Sequence, residues 1–261
     1  MPDADRASTP ATLGRTVRIG SVKVTDTTAP ELIELIAAAM HAGYGLRLCY
    51  ANAHAVRLAA EDPAFARDLA RADVTFCDGV GVKLAARILG APLRASLTPP
   101  QWIGPLIERL GSRARLYLVG DEADVVAAAA DRLRQQYPDC AVIGAHHGFF
   151  RTPGPEHQQL LAEIARAGPS IVLVGMGMPR QERWANLVAD QAPQAVVIAV
   201  GALFRRLIGL ESRPPRWISA SGFEWLVRLS RHPVAMFDRY VIGLPRFGLI
   251  VAHDWYSRRR R

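Results

Sequence analysis

Cysteine and lysine are both scarce in this chain: 261 residues hold three cysteines and two lysines. Cys49, Cys77 and Cys140 stand singly inside apolar runs, with no CxxC pair. That excludes a zinc ribbon or a disulfide framework and fits a reducing, cytoplasmic setting. No stretch reaches the roughly 18 consecutive apolar residues a bilayer-crossing helix needs. The longest apolar runs, 195–204 and 241–245, are too short. The opening MPDADRASTPATLG is polar and acidic where a secretory signal would be basic and then apolar. Nucleophile-elbow, Walker and HExxH patterns are missing as well. His41, His54, His146, His147, His157, His232 and His253 show no metal-ligand spacing, and His146 and His147 read as turn residues. Asp3-Ala4-Asp5 resembles a DxD nucleotide–metal motif but lies in a polar tail with no strand before it.

What remains is an ordinary globular balance, half hydrophobic and 21% charged, sufficient for a buried core. The net charge of +8 is unevenly placed: residues 211–261 carry ten arginines against four acids, leaving the rest nearly neutral. Arginine suits planar, bidentate binding of phosphate, although a GC-rich genome gives the same bias.

Short runs rich in Val, Ile and Leu (17–24, 46–51, 73–77, 115–119, 141–144, 171–175, 195–200) alternate with amphipathic stretches at 30–42, 53–60, 63–71, 80–89, 101–111, 122–136, 156–167 and 179–190. This alternation predicts an α/β fold with a mainly parallel sheet flanked by helices. Ligands of such sheets bind beyond the carboxyl ends of the strands. Residues 1–14 read as a disordered tail, 15–210 as the α/β core and 211–261 as a basic, aromatic, helical appendage punctuated by Pro214-Pro215, Pro233 and Pro245.

Four strand-to-helix turns are candidates for chemistry. Asp78 ends one strand, with Gly79 and Gly81 allowing close backbone approach; Asp78 is either a ligand-facing carboxylate or a helix N-cap. Gly175-Met176-Gly177-Met178-Pro179 ends another, a tight turn or an anion site at a helix start, with Gln181 and Glu182 in the first helical turn. Asn52 is either a hydrogen-bonding group or a helix cap, and Gly201 follows a fourth strand.

Together these turns resemble the WecG/TagA/CpsF glycosyltransferase family over roughly residues 17–240. Asn52, Asp78-Gly79-x-Gly81, Leu89 to Leu93, Tyr117 to Gly120, Tyr137-Pro138, Gly148-Phe149-Phe150 and Gly175 to Glu182 follow the family's order. Farther on, Gly209, Arg213 to Trp217, Gly222 to Leu229 and Arg239-Tyr240 are similar to its C-terminal motifs. The resemblance implies a Rossmann-like core of the GT-E type and an inverting, metal-independent transfer with no cofactor. Its donor would be a UDP-sugar and its acceptor a sugar on a polyprenyl diphosphate at the inner face of the plasma membrane, for an exopolysaccharide or cell-surface polymer. Asp78 matches the family's base, and Arg213, Arg228, Arg231 and Arg239 would close over the site from the tail. The xanthan-type glucosyltransferase and N-acetylmannosaminuronic acid branches are both open.

Departures from the family are Tyr50 for its Thr, Ser96 and Pro99-Pro100-Gln101 for its Arg and Gly-x-Asp, Arg205 for its Asp, and Ala235 for its Arg. They leave an altered substrate or weakened activity open. The appendage, with Arg beside Trp and Tyr, is expected to bind an anionic membrane surface peripherally. A homo-oligomer is compatible with the sequence. The alternative reading is a nucleic-acid-binding protein using the tail. Against it stand a nearly neutral body and the lack of any known nucleic-acid motif. A dinucleotide oxidoreductase would need an acid where Val200-Gly201 stands.

Overall fold

The computed structural model describes residues 14–211, 226, 229–230 and 237–260. Eight strands form one sheet in the order β1-β2-β4-β3-β8-β7-β5-β6. They are β1 (Thr16–Ile19), β2 (Val22–Thr25), β3 (Arg47–Ala51), β4 (Val74–Cys77), β5 (Arg115–Gly120), β6 (Ala141–His146), β7 (Ile171–Gly175) and β8 (Val196–Ala199). Every pairing is parallel except β1 with β2. The apolar run 17–24, expected as one strand, is a hairpin instead. Gly20, at φ 58°, reverses the chain, so Val17 faces Val24 and Ile19 faces Val22.

Ten α-helices surround the sheet among the described residues: α1 (Ala29–Ala42), α2 (Ala53–Glu61), α3 (Pro63–Ala70), α4 (Val80–Ile88), α5 (Pro99–Leu110), α6 (Ala123–Gln136), α7 (Pro155–Ala167), α8 (Arg180–Gln191), α9 (Leu203–Leu207) and α10 (Gly243–Arg259). Their boundaries have local causes. Asp62 caps α3 by accepting from the Ala64 and Phe65 amides, and Pro63 fits its first turn. Thr28 and Glu31 form a capping box on α1, which ends at Gly43 in the left-handed region.

The strands are apolar on both sides because both faces are covered. Leu116 and Leu118 of β5, with Ile171 and Leu173 of β7, enter one core; Tyr117, Val119, Val172 and Val174 enter a second with Trp184 and Leu160. Helices α1, α5, α9 and α6 adjoin in series, as do α2, α3, α8 and α7.

Helix α10 lies chiefly on α2 and touches α4 and β1. Phe247 and Val251 are buried there. The Gly20 amide donates to Asp254 at 2.7 Å, and Arg258 donates to the carbonyls of Leu89 and Arg18. A π-helical turn at Asp238–Ile242 precedes it, where Asp238 pairs with the buried Arg57 at 2.7 Å. No helix among the described residues is long and apolar enough to cross a membrane.

Candidate active site

Because β4, β3, β8, β7, β5 and β6 are neighbours and parallel, their carboxyl ends open on one edge. Asp78 follows β4, Asn52 follows β3, Gly201 follows β8 and Gly175 closes β7. The structure thus places Asn52, Asp78, Gly175 and Gly201 along one edge of the sheet, with Gln181 and Glu182 buried behind it. Arg213, Arg228, Arg231 and Ala235 lie outside the described residues.

Asn52 does both things its position allows. Its Oδ1 accepts from the Ala55 amide at 3.0 Å, capping α2, while its Nδ2 donates toward Asp78 Oδ2 at 3.5 Å. The Asp78 amide donates to the Ala51 carbonyl, anchoring the loop to the end of β3. Asp78 is half-buried, and Gly79 after it adopts φ 92°, which lets the chain turn sharply into α4. The Gly79 amide donates to Ser96 Oγ at 2.8 Å, so the departure at Ser96 braces the Asp78 loop. Gly81 packs against Ala53 and Phe247.

On the other side of β3, Gln181 and Glu182 are completely buried. Gln181 Nε2 donates to Tyr50 Oη at 3.2 Å and to Glu182 Oε1 at 2.8 Å, and its Oε1 accepts from the Gly201 amide. Gln181 therefore ties together the ends of β3, β7 and β8, beneath the solvent-reaching Gly177 and Gly201. The departure at Tyr50 belongs to this tie, and its hydroxyl stands where a Cβ on Gly201 would be, 2.5 Å away. Burial pushes the Glu182 carboxyl up to about 7, and its Oε2 has no hydrogen-bond partner. The Gln181 amide donates to Gly177 O, so one donor at the start of α8 is used within the turn. Gly120 and Gly175 approach closely: a Cβ on Gly120 would lie 2.3 Å from Gly175 O.

Arg239 comes to this edge from the C-terminal segment. Burial is the main cause that pushes His54 down to about 4, and the Arg239 and Arg57 charges add to it. The positive charge of Arg239 also acts on buried Tyr50, whose hydroxyl burial holds well above its ordinary range. His54 thus remains neutral beside two guanidinium groups.

Motif reading missed two clusters. Arg205 binds Asp121 at 2.9 and 2.7 Å and Glu122 at 3.0 Å, at the end of β5. The second joins His146, His147 and Glu156, with His147 Nε2 3.2 Å from Glu156 Oε1 and one ligand-capable atom from each residue within 4.8 Å of the others. His spacing alone could not show it, because Glu156 arrives from α7. Both histidines are partly engaged elsewhere: the His146 ring nitrogen Nδ1 contacts His147 O at 2.8 Å, and the Phe149 amide donates to His147 Nδ1. A cavity of about 190 Å³ lined by Thr25, Thr27, Glu31, Leu35, Val74 and Arg94 receives none of the candidate residues.

A mainly parallel sheet covered by helices, with a carboxylate, an amide and several glycines at one carboxyl edge, defines an α/β protein of the kind whose ligands bind beyond the strand ends. The model of the glycosyl transferase WecG/TagA/CpsF family matches residues 17–261, and the chain belongs to that family of glycosyltransferases. Among curated proteins it is similar to an N-acetylglucosaminyldiphosphoundecaprenol N-acetyl-beta-D-mannosaminyltransferase of Bacillus spizizenii, 24% identical over 190 residues and 72% of each chain. A protein of the same name from Bacillus subtilis is 25% identical over 178 residues, 68% of this chain and 67% of that one.

Proposed function

We propose that this glycosyltransferase moves a sugar from a UDP-sugar to a sugar carried on a polyprenyl diphosphate, with inversion at the anomeric carbon and without a metal. The observation that carries this reading is the Asn52–Asp78 pair at the end of adjacent strands. It supports Asp78 as the base and Asn52 as the group orienting it. The Asp78 carboxylate would take the proton of the acceptor hydroxyl as that oxygen bonds to the anomeric carbon. The bond from that carbon to the diphosphate oxygen breaks at the same time, and UDP leaves with the negative charge. Arg239, with Arg213, Arg228 and Arg231 of the tail, would offset that charge. Gly79 and Gly177, with open space beside them, and Gly201 let the donor approach the backbone, Gly81 and Gly175 let neighbouring segments pack closely, and Gln181, itself held by Glu182, fixes the Gly177 and Gly201 turns.

The acceptor class comes from the names of the two Bacillus relatives. The basic residues of 211–261 would hold the protein at the inner face of a plasma membrane, where such an acceptor is reached. Calorimetry with a panel of UDP-sugars in EDTA tests the donor. Saturable binding of one of them, followed by transfer to a short-chain polyprenyl-diphosphate sugar, is the expected result. Binding of duplex DNA alone, with a steep salt dependence, would overturn it.

A further inference from the structure

Helix α4 starts immediately after the Asp78-Gly79 turn, and its outer face is unusual for this protein. Val80, Leu84 and Ile88 recur every four residues, so they stack in one line along the helix. They are 47%, 54% and 49% exposed. Among residues 14–211 the other large apolar side chains exposed to this degree are Phe149 and Leu210. The inner residues Val82, Ala85 and Ala86 are buried, so α4 is not short of core contacts; it is apolar on two sides. Lys83 and Arg87 are the remaining exposed side chains of α4, and the helix contains no acid. At its far end Arg258 donates to the Leu89 carbonyl, which sets the exposed Arg258, Arg259 and Arg260 beside the end of the apolar line.

We propose that α4 is a membrane-docking helix that lays Val80, Leu84 and Ile88 into the surface of an anionic bilayer. An aliphatic line flanked by cations and free of acids complements a negatively charged lipid interface, where such a helix sinks about 5–10 Å. Lys83 and Arg87 meet the headgroups, and their apolar stems lie along the same surface. This contact adds an aliphatic line outside the 211–261 segment to the arginines of α10 beside it, and has a geometric consequence for Asp78. Only Gly79 separates that residue from Val80, so docking α4 sets the catalytic edge at headgroup depth, where a diphosphate joined to a lipid chain resides. The inference rests on the reading of a lipid-linked acceptor for its purpose, but its test does not.

The full chain is floated with vesicles of phosphatidylcholine alone and of phosphatidylcholine mixed equally with phosphatidylglycerol. Wild type should bind the mixed vesicles, and L84S/I88S should partition about tenfold more weakly, the loss expected for two side chains that no longer enter the interface. A K83Q/R87Q variant should lose most of the preference for the anionic vesicles. A Leu84→Cys variant carries a polarity-sensitive fluorophore, the native cysteines being buried. Its emission should shift to the blue when vesicles are added.

The proposal falls if the protein floats while the probe at position 84 stays in water, since the tail would then be the contact. It also falls if L84S/I88S floats like wild type or if wild type binds no vesicles. Conversion of an oligomer to monomers by L84S/I88S, with vesicle binding intact, would make the line an interface between copies and likewise overturn it. UDP-sugar binding in solution is measured on the same variants and should be unchanged. If no UDP-sugar binds but the probe enters lipid, docking by α4 stands and the donor reading alone is lost.

Discussion

Asp78→Asn keeps the shape of the strand-end loop and still offers Asn52 an acceptor oxygen, but it leaves no carboxylate to receive a proton. Turnover should therefore fall about a thousandfold while UDP-sugar affinity stays within a few-fold of wild type. Parallel loss of binding would make Asp78 a donor contact instead. A second residue-scale prediction concerns Glu182, whose carboxyl burial raises from 4.5 to about 7. Between those values the native state holds more protons than the unfolded chain, so stability declines as pH rises through 7. The loss is at most about 3 kcal/mol. Glu182→Gln should flatten the fall in Tm between pH 5 and pH 8, as read by calorimetric scans. Asn52 and Asp78 stand out in the sequence as separate polar residues at strand ends, but their 3.5 Å contact does not, because they stand 26 positions apart. The depth of Gln181 and Glu182 was not. Helix α8 is hemmed in by α3 and α7 as well as the sheet, so Gln181 and Glu182 of its first turn are buried while Arg180 and Arg183 stay exposed, and periodicity reports only the apolar stripe.

At the scale of elements, the close spacing of strand ends is set by glycine. A Cβ at Gly175 would lie 2.8 Å from Gly201 O and 2.9 Å from the Phe204 ring. Gly175→Ala should therefore cost about 2 kcal/mol and lower Tm by roughly 5 °C, with weaker UDP-sugar binding in the same sample. A variant as stable as wild type would show that β7 and β8 can separate at this edge. Doubly apolar strands announced themselves by composition, because both faces of a covered sheet must be apolar. The hairpin did not: Val17 to Val24 reads as one run, and only the positive φ of Gly20 breaks it in two. Helix α9, with five residues, is too short to show a period. The basic composition of 211–261 set it apart from the core but gave no sign that α10 would pack its Phe247 and Val251 against the body.

For the whole molecule, strand order lies beyond local pattern. Neighbours such as β3 and β8 are joined through every intervening element, and only burial of both sheet faces decides the arrangement. Several family motifs, in contrast, were legible because Asn52, Asp78 and Gly175 sit at or just after strand ends, where a turn demands particular residue types whatever the strand order. The same long range holds for α10. Asp254→Ala removes the acceptor of the Gly20 amide, a charge-assisted bond worth about 2 kcal/mol. Amide exchange should accelerate at Gly20 and along α2, beneath α10, while the β5–β6 side of the sheet stays protected; uniform acceleration would mean the two ends of the sheet unfold as one unit.

The tie between Gly20 and Asp254 spans 234 positions. During synthesis the hairpin leaves the ribosome early, yet its partner is made only after every strand of the sheet. The body can therefore assemble while the outer face of α2 still waits for its cover, and α10 with its arginine cluster arrives after the sheet. Order of manufacture thereby separates two events, completion of the crevice and attachment of the basic helix. A nascent chain would hold a formed sheet before it holds its basic helix, so the strand ends would be set in place before the cover on α2 is added.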